Sequence, residues 1–169
     1  VQMYKSLKET NISQQHCIDL ITAFKQDTNK NRYRTWNDLL QYCQLSAAPV
    51  GRYMIDLHGG FITNKMTGYE SSDSLCIALQ VLNHIQDCSD DFQSLNRVYL
   101  PSDTMNKYCA DENDLSNETL TPNLRDCLDN ILDVVDQLVL KATKLPPLLN
   151  SSRLGIESQI IIHWDSTDI

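Results

Sequence analysis

The chain has 169 residues, of which 41% are hydrophobic and 21% charged, with a formal net charge of −8 and a sequence pI near 4.8. It is long enough for one domain with a sizeable core and too apolar for a disordered chain. The acidic balance argues against non-specific nucleic-acid binding, which needs a basic face, and no apolar run reaches the roughly eighteen residues of a membrane span.

Only five glycines and five prolines are present, and helical periodicity dominates throughout. A first helix is predicted from Ser13 to about Gln26, with Ser13 as N-cap and Ile18, Ile21 and Phe24 at helical spacing. The polar, basic stretch from Asp27 to Tyr33 reads as a loop. A second helix starts at Thr35, where Thr35 with Asp38 resembles a capping box, and runs toward Leu57. Pro49 and Gly51 lie inside that pattern, so a kink or break is expected there. The small residues Ser46, Ala47, Ala48 and Gly51 allow close approach of another helix or a ligand.

His58 to Tyr69 reads as a loop. A third helix is predicted from Ser72 to about Phe92, capped by Ser71 or Ser72, with Asp73 in its first turn and an apolar stripe of Leu75, Ala78, Leu79, Leu82 and Ile85. Leu100 to Cys109 holds a short helix, and Asp111 to Thr119 is acidic and exposed. Thr121 caps a long helix with Pro122 at its first position, running to about Leu145 with Leu124, Leu128, Ile131, Leu132, Val135, Leu138 and Val139 inward. Pro146 and Pro147 end it. Ser151 or Ser152 opens a last helix through Ile156, Ile160 and Trp164. The fold class expected from this pattern is an all-α bundle with short connections.

The six cysteines, Cys17, Cys43, Cys76, Cys88, Cys109 and Cys127, contain no CxxC pair and read as buried reduced thiols in a cytoplasmic protein. His16 and Cys17 are adjacent and leave a helix on different sides, so they make a poor catalytic dyad. His84 is turned about 100° from Asn83 around a helix and is read as structural or exposed. His58 closes the second helix, where a cation suits the dipole.

The chemistry concentrates in the stretch from Gln80 to Asp91. Asn83, Asp87 and Asp91 recur every four residues, a step that drifts by only about 40° around a helix, so all three share one face, and Gln80 lies on the same side. Two carboxylates and an amide oxygen one turn apart suit Mg²⁺, which binds through one or two carboxylates and completes its shell with water and phosphate oxygens. A solvated acidic face is the alternative. No Lys or Arg lies between Asp73 and Asn96 to offset these charges. Arg97, just downstream, can reach a diphosphate oxygen.

Gln80, Asn83, Asp87 and Asp91, followed by Arg97, Tyr99, Leu100 and Pro101, resemble the second aspartate-rich motif of the squalene and phytoene synthase family. A second stretch, Tyr33-Arg-Thr-Trp36 through Tyr42-Cys43-Gln-Leu-Ser46-Ala47-Ala48-Pro49-Val50-Gly51, resembles the same family, and its form is similar to the bacterial hydroxysqualene synthase branch (HpnC-like). The resemblance implies an isoprenoid-synthase-type helical bundle formed by one domain over residues 1–169. It also implies an N-terminally truncated copy, because nothing upstream of Thr35 matches the family's first aspartate-rich motif.

By the same resemblance, Mg²⁺ is the cofactor, held by Asp87, Asp91 and Asn83, with no NADPH in the hydroxysqualene branch. Asp87, Asp91 and Tyr42 would be catalytic. Gln80, Asn83, Arg97, Tyr99, Ala47, Ala48 and Gly51 would bind a farnesyl or presqualene diphosphate substrate, ionised on the way to squalene or hydroxysqualene. The alternative is a non-catalytic binding or assembly protein on the same fold. Lipid substrates imply peripheral membrane contact through an apolar surface rather than through charge.

Overall fold

The computed structural model describes residues 2–63 and 65–165, the last two by backbone alone. Among the described residues nine α-helices carry the fold, in chain order α1 Gln2–Thr10, α2 Gln15–Asp27, α3 Trp36–Ser46, α4 Ala48–Leu57, α5 Lys65–Gln86, α6 Cys88–Leu95, α7 Ser102–Lys107, α8 Pro122–Ala142 and α9 Ser152–Asp165. Among the described residues there is no strand, only isolated bridges at Arg32–Val98 and Phe61–Leu149. The expected all-α class is what the chain adopts.

The caps read at Thr35 and Thr121 acted where they were read, whereas Ser13 does not cap α2, which begins at Gln15 with Gln14 as its N-cap and no side-chain cap. The Thr35 hydroxyl accepts from the Asp38 N–H at 3.2 Å and opens α3. The Thr121 hydroxyl accepts from the Leu124 N–H at 3.2 Å and opens α8, with Pro122 in its first turn. The break expected around Pro49 falls at Ala47, because a proline needs no donor partner in a first turn and so seats itself at the start of α4.

Several expectations are corrected. α1 was not foreseen; it buries only Leu7, too thin a stripe to register as a period. α5 starts at Lys65, six or seven residues before its predicted cap at Ser71 or Ser72. Ser71 and Ser72 are therefore buried mid-helix residues, and Asp73 does not meet the helix N-terminus. Asp73 instead pairs with Arg52 of α4, accepting from Nε at 2.8 Å and from Nη2. The predicted stripes of α2 and α9 are also turned outward. Ile18, Ile21, Phe24, Ile156 and Ile160 are all at least half exposed, while α2 buries His16 and Ala23 and α9 buries Ser158 and Ile162. Periodicity finds a face but not what lies against it. The backbone of Trp164 continues α9, and its side chain lies outside the described residues.

The core is organised on α5, a 22-residue rod about 33 Å long that packs most extensively on α8 and then on α4. The α8 stripe is as foreseen, with Leu124, Ile131, Val135 and Val139 buried. The α4–α5 approach depends on Gly51: a Cβ there would stand 2.5 Å from Cys76 Sγ and 2.7 Å from Ser72 Oγ. The six cysteines form no disulfide, and burial pushes the Cys43 thiol up to about 12 and the Cys127 thiol to about 11.

Far along the sequence, residues 31–34 and 98–103 are clasped side by side. The Val98 N–H donates to the Asn31 carbonyl at 2.9 Å, Ser102 to Tyr33 at 2.9 Å and Asp103 to Arg34 at 3.0 Å. Arg32 locks the clasp. Its Nε and Nη2 grip the Glu112 carboxylate at 2.7 and 2.8 Å, and the rest of the fork reaches the backbone and side chain of Asn96. Asn96, at φ 49°, is the left-handed residue that ends α6 and turns the chain into Arg97.

Replacing Gly51 by Ala is expected to push α4 from α5 and destabilise the fold by roughly 1–3 kcal/mol, the usual cost of overpacking. Urea unfolding measures this; an unchanged midpoint would mean that the two helices yield freely.

Candidate active site

The acidic face lies where α5 hands over to α6. α5 ends at Gln86, and Asp87 sits between the helices at φ −94°, ψ 3°. The continuous helix expected over this stretch is thus divided, yet the ladder survives the division. The Asp87 N–H donates to the Asn83 carbonyl at 2.9 Å and the Asp91 N–H to the Asp87 carbonyl at 2.8 Å. Asn83, Asp87 and Asp91 remain one turn apart, with Asn83 and Asp87 exposed and Asp91 half-buried.

Charge at this face is not balanced within it. Partial burial raises the Asp91 carboxyl above the ordinary carboxylate range, the charges of Asp87 and Asp90 raise it further, and Arg97 opposes them. A cation would relieve that repulsion. Among the described residues no three His, Cys, Asp or Glu side chains converge as a metal cluster. Two carboxylates with an adjacent amide match the donor set Mg²⁺ takes when water and phosphate supply the rest.

Behind the acidic face lies a buried aromatic cluster assembled from four parts of the chain. Tyr42 comes from α3, His84 from α5, and Tyr33 and Tyr99 from the two clasped segments. The His84 and Tyr99 rings stack at 3.5 Å between centroids and 12° between planes; Tyr33 lies 5.3 Å from both Tyr42 and Tyr99. Burial, with the Arg97 charge adding to it, lowers His84 to about 4, so the imidazole is neutral. The Gln80 amide donates to its Nε2 at 3.2 Å, which leaves the proton on Nδ1. His84 is thus a buried structural residue, one of the two readings left open for it.

Arg97 and Tyr42 both bond to Asp27 beside this cluster. Arg97 Nη2 donates to the Asp27 carbonyl at 2.6 Å and Nη1 to the Tyr99 hydroxyl at 3.4 Å. The Tyr42 hydroxyl donates to Asp27 Oδ2 at 3.1 Å. Of the residues singled out in the sequence, Gln80, Asn83, Asp87, Asp91, Arg97, Tyr99 and Tyr42 are therefore gathered at one end of α5. Ala47 and Ala48 are buried at the α3–α4 junction, and Gly51 is taken up by the contact with Ser72 and Cys76 of α5. Asp27 and Tyr33 were not singled out as site residues. Tyr33 stood inside a quoted motif, whereas Asp27 carried no signal beyond closing a helix.

A cavity of about 610 Å³ lies elsewhere, lined by Ile62, Leu149, Gly155, Ile156, Gln159 and Ile162 near α9 and the loop before α5. None of the acidic-face residues lines it. Among the described residues no helix is long and apolar enough to cross a membrane.

Comparison with known proteins places these features in a family. The squalene/phytoene synthase family model matches residues 2–162. A hydroxysqualene synthase of Rhodopseudomonas palustris is 38% identical over 161 residues, covering 95% of this chain and 54% of that protein. One from Sinorhizobium fredii is 34% identical, covering 97% of this chain and 55% of that protein. The crystal structure of squalene synthase HpnC from Alicyclobacillus acidocaldarius superposes with a TM-score of 0.85 at 29% identity, over 96% of this chain and 60% of that one. The chain thus spans about half the length of the curated relatives it matches.

The neutral state of His84 has a pH signature. Between pH 6.5 and about 4 the unfolded chain takes up a proton that folded His84 refuses, so stability falls as pH falls through that window. The contribution is on the order of 3 kcal/mol. Urea unfolding at pH 6.5 and 4.5 is expected to show a smaller pH difference in His84→Phe than in the wild type. An equal difference would mean that folded His84 is protonated.

Proposed function

Because the chain belongs to the squalene/phytoene synthase family, we propose that it forms the second-motif half of a prenyl diphosphate synthase site, acting on farnesyl or presqualene diphosphate to give squalene or hydroxysqualene. The observation that carries this reading is the ladder of Asn83, Asp87 and Asp91 on successive turns, uncompensated by any cation within it and flanked by Arg97.

In this reading Asp87 and Asp91, with Asn83, hold Mg²⁺. When bound, Mg²⁺ supplies Lewis-acid neutralisation of the charge that develops on departing diphosphate oxygens. Arg97 adds a fixed positive charge beside the same oxygens, held in place by Asp27 and Tyr99. Gln80 and His84 form the floor of the site and keep a neutral, rigid surface next to the carboxylates. Tyr42 presents a phenol oxygen from the buried side, and Ala47 and Ala48, buried at the α3–α4 junction, keep the wall behind it small and apolar. Exclusion of water by the apolar surroundings protects the carbocation left when diphosphate departs. No nicotinamide takes part, substrates arrive from the lipid phase, and contact with a membrane is peripheral and apolar.

Calorimetry with farnesyl and presqualene diphosphates tests the reading. Binding is expected only with Mg²⁺, weakened at least about tenfold in Asp87→Asn/Asp91→Asn. Binding that ignores both the metal and the substitutions would overturn the metal-site assignment. No binding of either diphosphate would favour a binding or assembly role for the fold.

A further inference from the structure

Asp27 stands outside both motifs that mark the site, yet two of the site's polar groups end on it. It is the last residue of α2. Its Oδ2 accepts from the Tyr42 hydroxyl of α3 at 3.1 Å, and its backbone carbonyl accepts from Arg97 Nη2, seventy residues further on, at 2.6 Å. Its other carboxylate oxygen is enclosed and takes no hydrogen bond among the described residues, and the same holds for the hydroxyl of fully buried Tyr33 and for Arg97 Nε. A carboxylate enclosed among tyrosines with one phenol donor is a poor device for stability, since the hydrogen bond returns less than the desolvation costs. Two features are nevertheless built from this one residue: a direction for one hydroxyl proton and an anchor for one guanidinium.

We infer that Asp27 is a positioning residue of the diphosphate site: its carboxylate sets the direction of the Tyr42 hydroxyl proton while its carbonyl anchors Arg97. This rests on the reading of the Asp87–Asp91 face as a prenyl diphosphate site. With its proton committed to Asp27, Tyr42 can turn only lone pairs toward other groups. It then serves as an electron-rich oxygen toward a cation or as a proton acceptor, and not as a donor to diphosphate. Arg97, tied at Nη2, is held beside Asp91 without spending its charge on a carboxylate partner, and that charge remains available to an anion.

The test uses the full chain with ¹³C at the tyrosine Cζ positions, Tyr42 being assigned through Tyr42→Phe. In Asp27→Asn and Asp27→Ala the Tyr42 signal is expected to move while those of Tyr4 and Tyr69 stay in place. In parallel, Asp27→Ala is expected to weaken Mg²⁺-dependent farnesyl diphosphate binding about tenfold, and Asp27→Asn, which keeps an acceptor oxygen, to recover most of that loss. A Tyr42 signal unmoved in both variants overturns the inference. So does a wild type that binds while both variants bind equally well. A wild type that binds no diphosphate with Mg²⁺ overturns instead the reading of the site on which the inference stands.

Discussion

The constraint on which the rest of this structure depends is the buried stack of His84 on Tyr99. A histidine and a tyrosine stacked 3.5 Å apart with nearly parallel rings can be buried only if the imidazole is neutral and its nitrogens are placed, and Gln80 places one of them. Because Tyr99 belongs to the segment clasped against residues 31–34, the stack ties the far end of α5 to both the loop after α2 and the loop after α6. Tyr33 and Tyr42 close around it, and the acidic ladder is mounted on its outer side. Stability and site geometry therefore share the same residues here, and neither can be altered without the other.

The helix is divided at Asp87, which lies outside both α5 and α6. α6 packs by the turn formed by residues 112–116 and delivers Asn96 and Arg97 back to the clasp. The main-chain bonds from Asn83 to Asp87 and from Asp87 to Asp91 keep the one-turn spacing across the division.

Several large apolar side chains face outward. Ile18, Ile21 and Phe24 on α2, Val50, Met54 and Leu57 on α4, and Ile156 and Ile160 on α9 are all exposed. Those on α2 and α9 are the residues that periodicity placed on the helix stripes. The buried side of α2 is small or polar, with His16 and Ala23, while α4 buries Ile55 and α9 buries Ser158 and Ile162. Helix existence was legible in each case, and the direction of its packing was not.

By itself the sequence determined what depends on neighbours within a turn or two. The caps at Thr35 and Thr121, the proline starts of α4 and α8, the inward stripe of α8 and the four-residue spacing of Asn83, Asp87 and Asp91 are all local physics, in which a hydroxyl, a ring or a spacing meets its partner three or four residues away. The two motifs also carried the family, and with it most of the residues that gather at the end of α5. Only the tertiary structure decided which groups meet across the chain. Asp27 reaches Tyr42 fifteen residues on and Arg97 seventy residues on, and Arg32 reaches Glu112 across eighty. Whether Arg52 holds Asp73, whether His84 is neutral and whether a stripe faces a core are settled by burial and by partners in space, and sequence spacing carries no record of either.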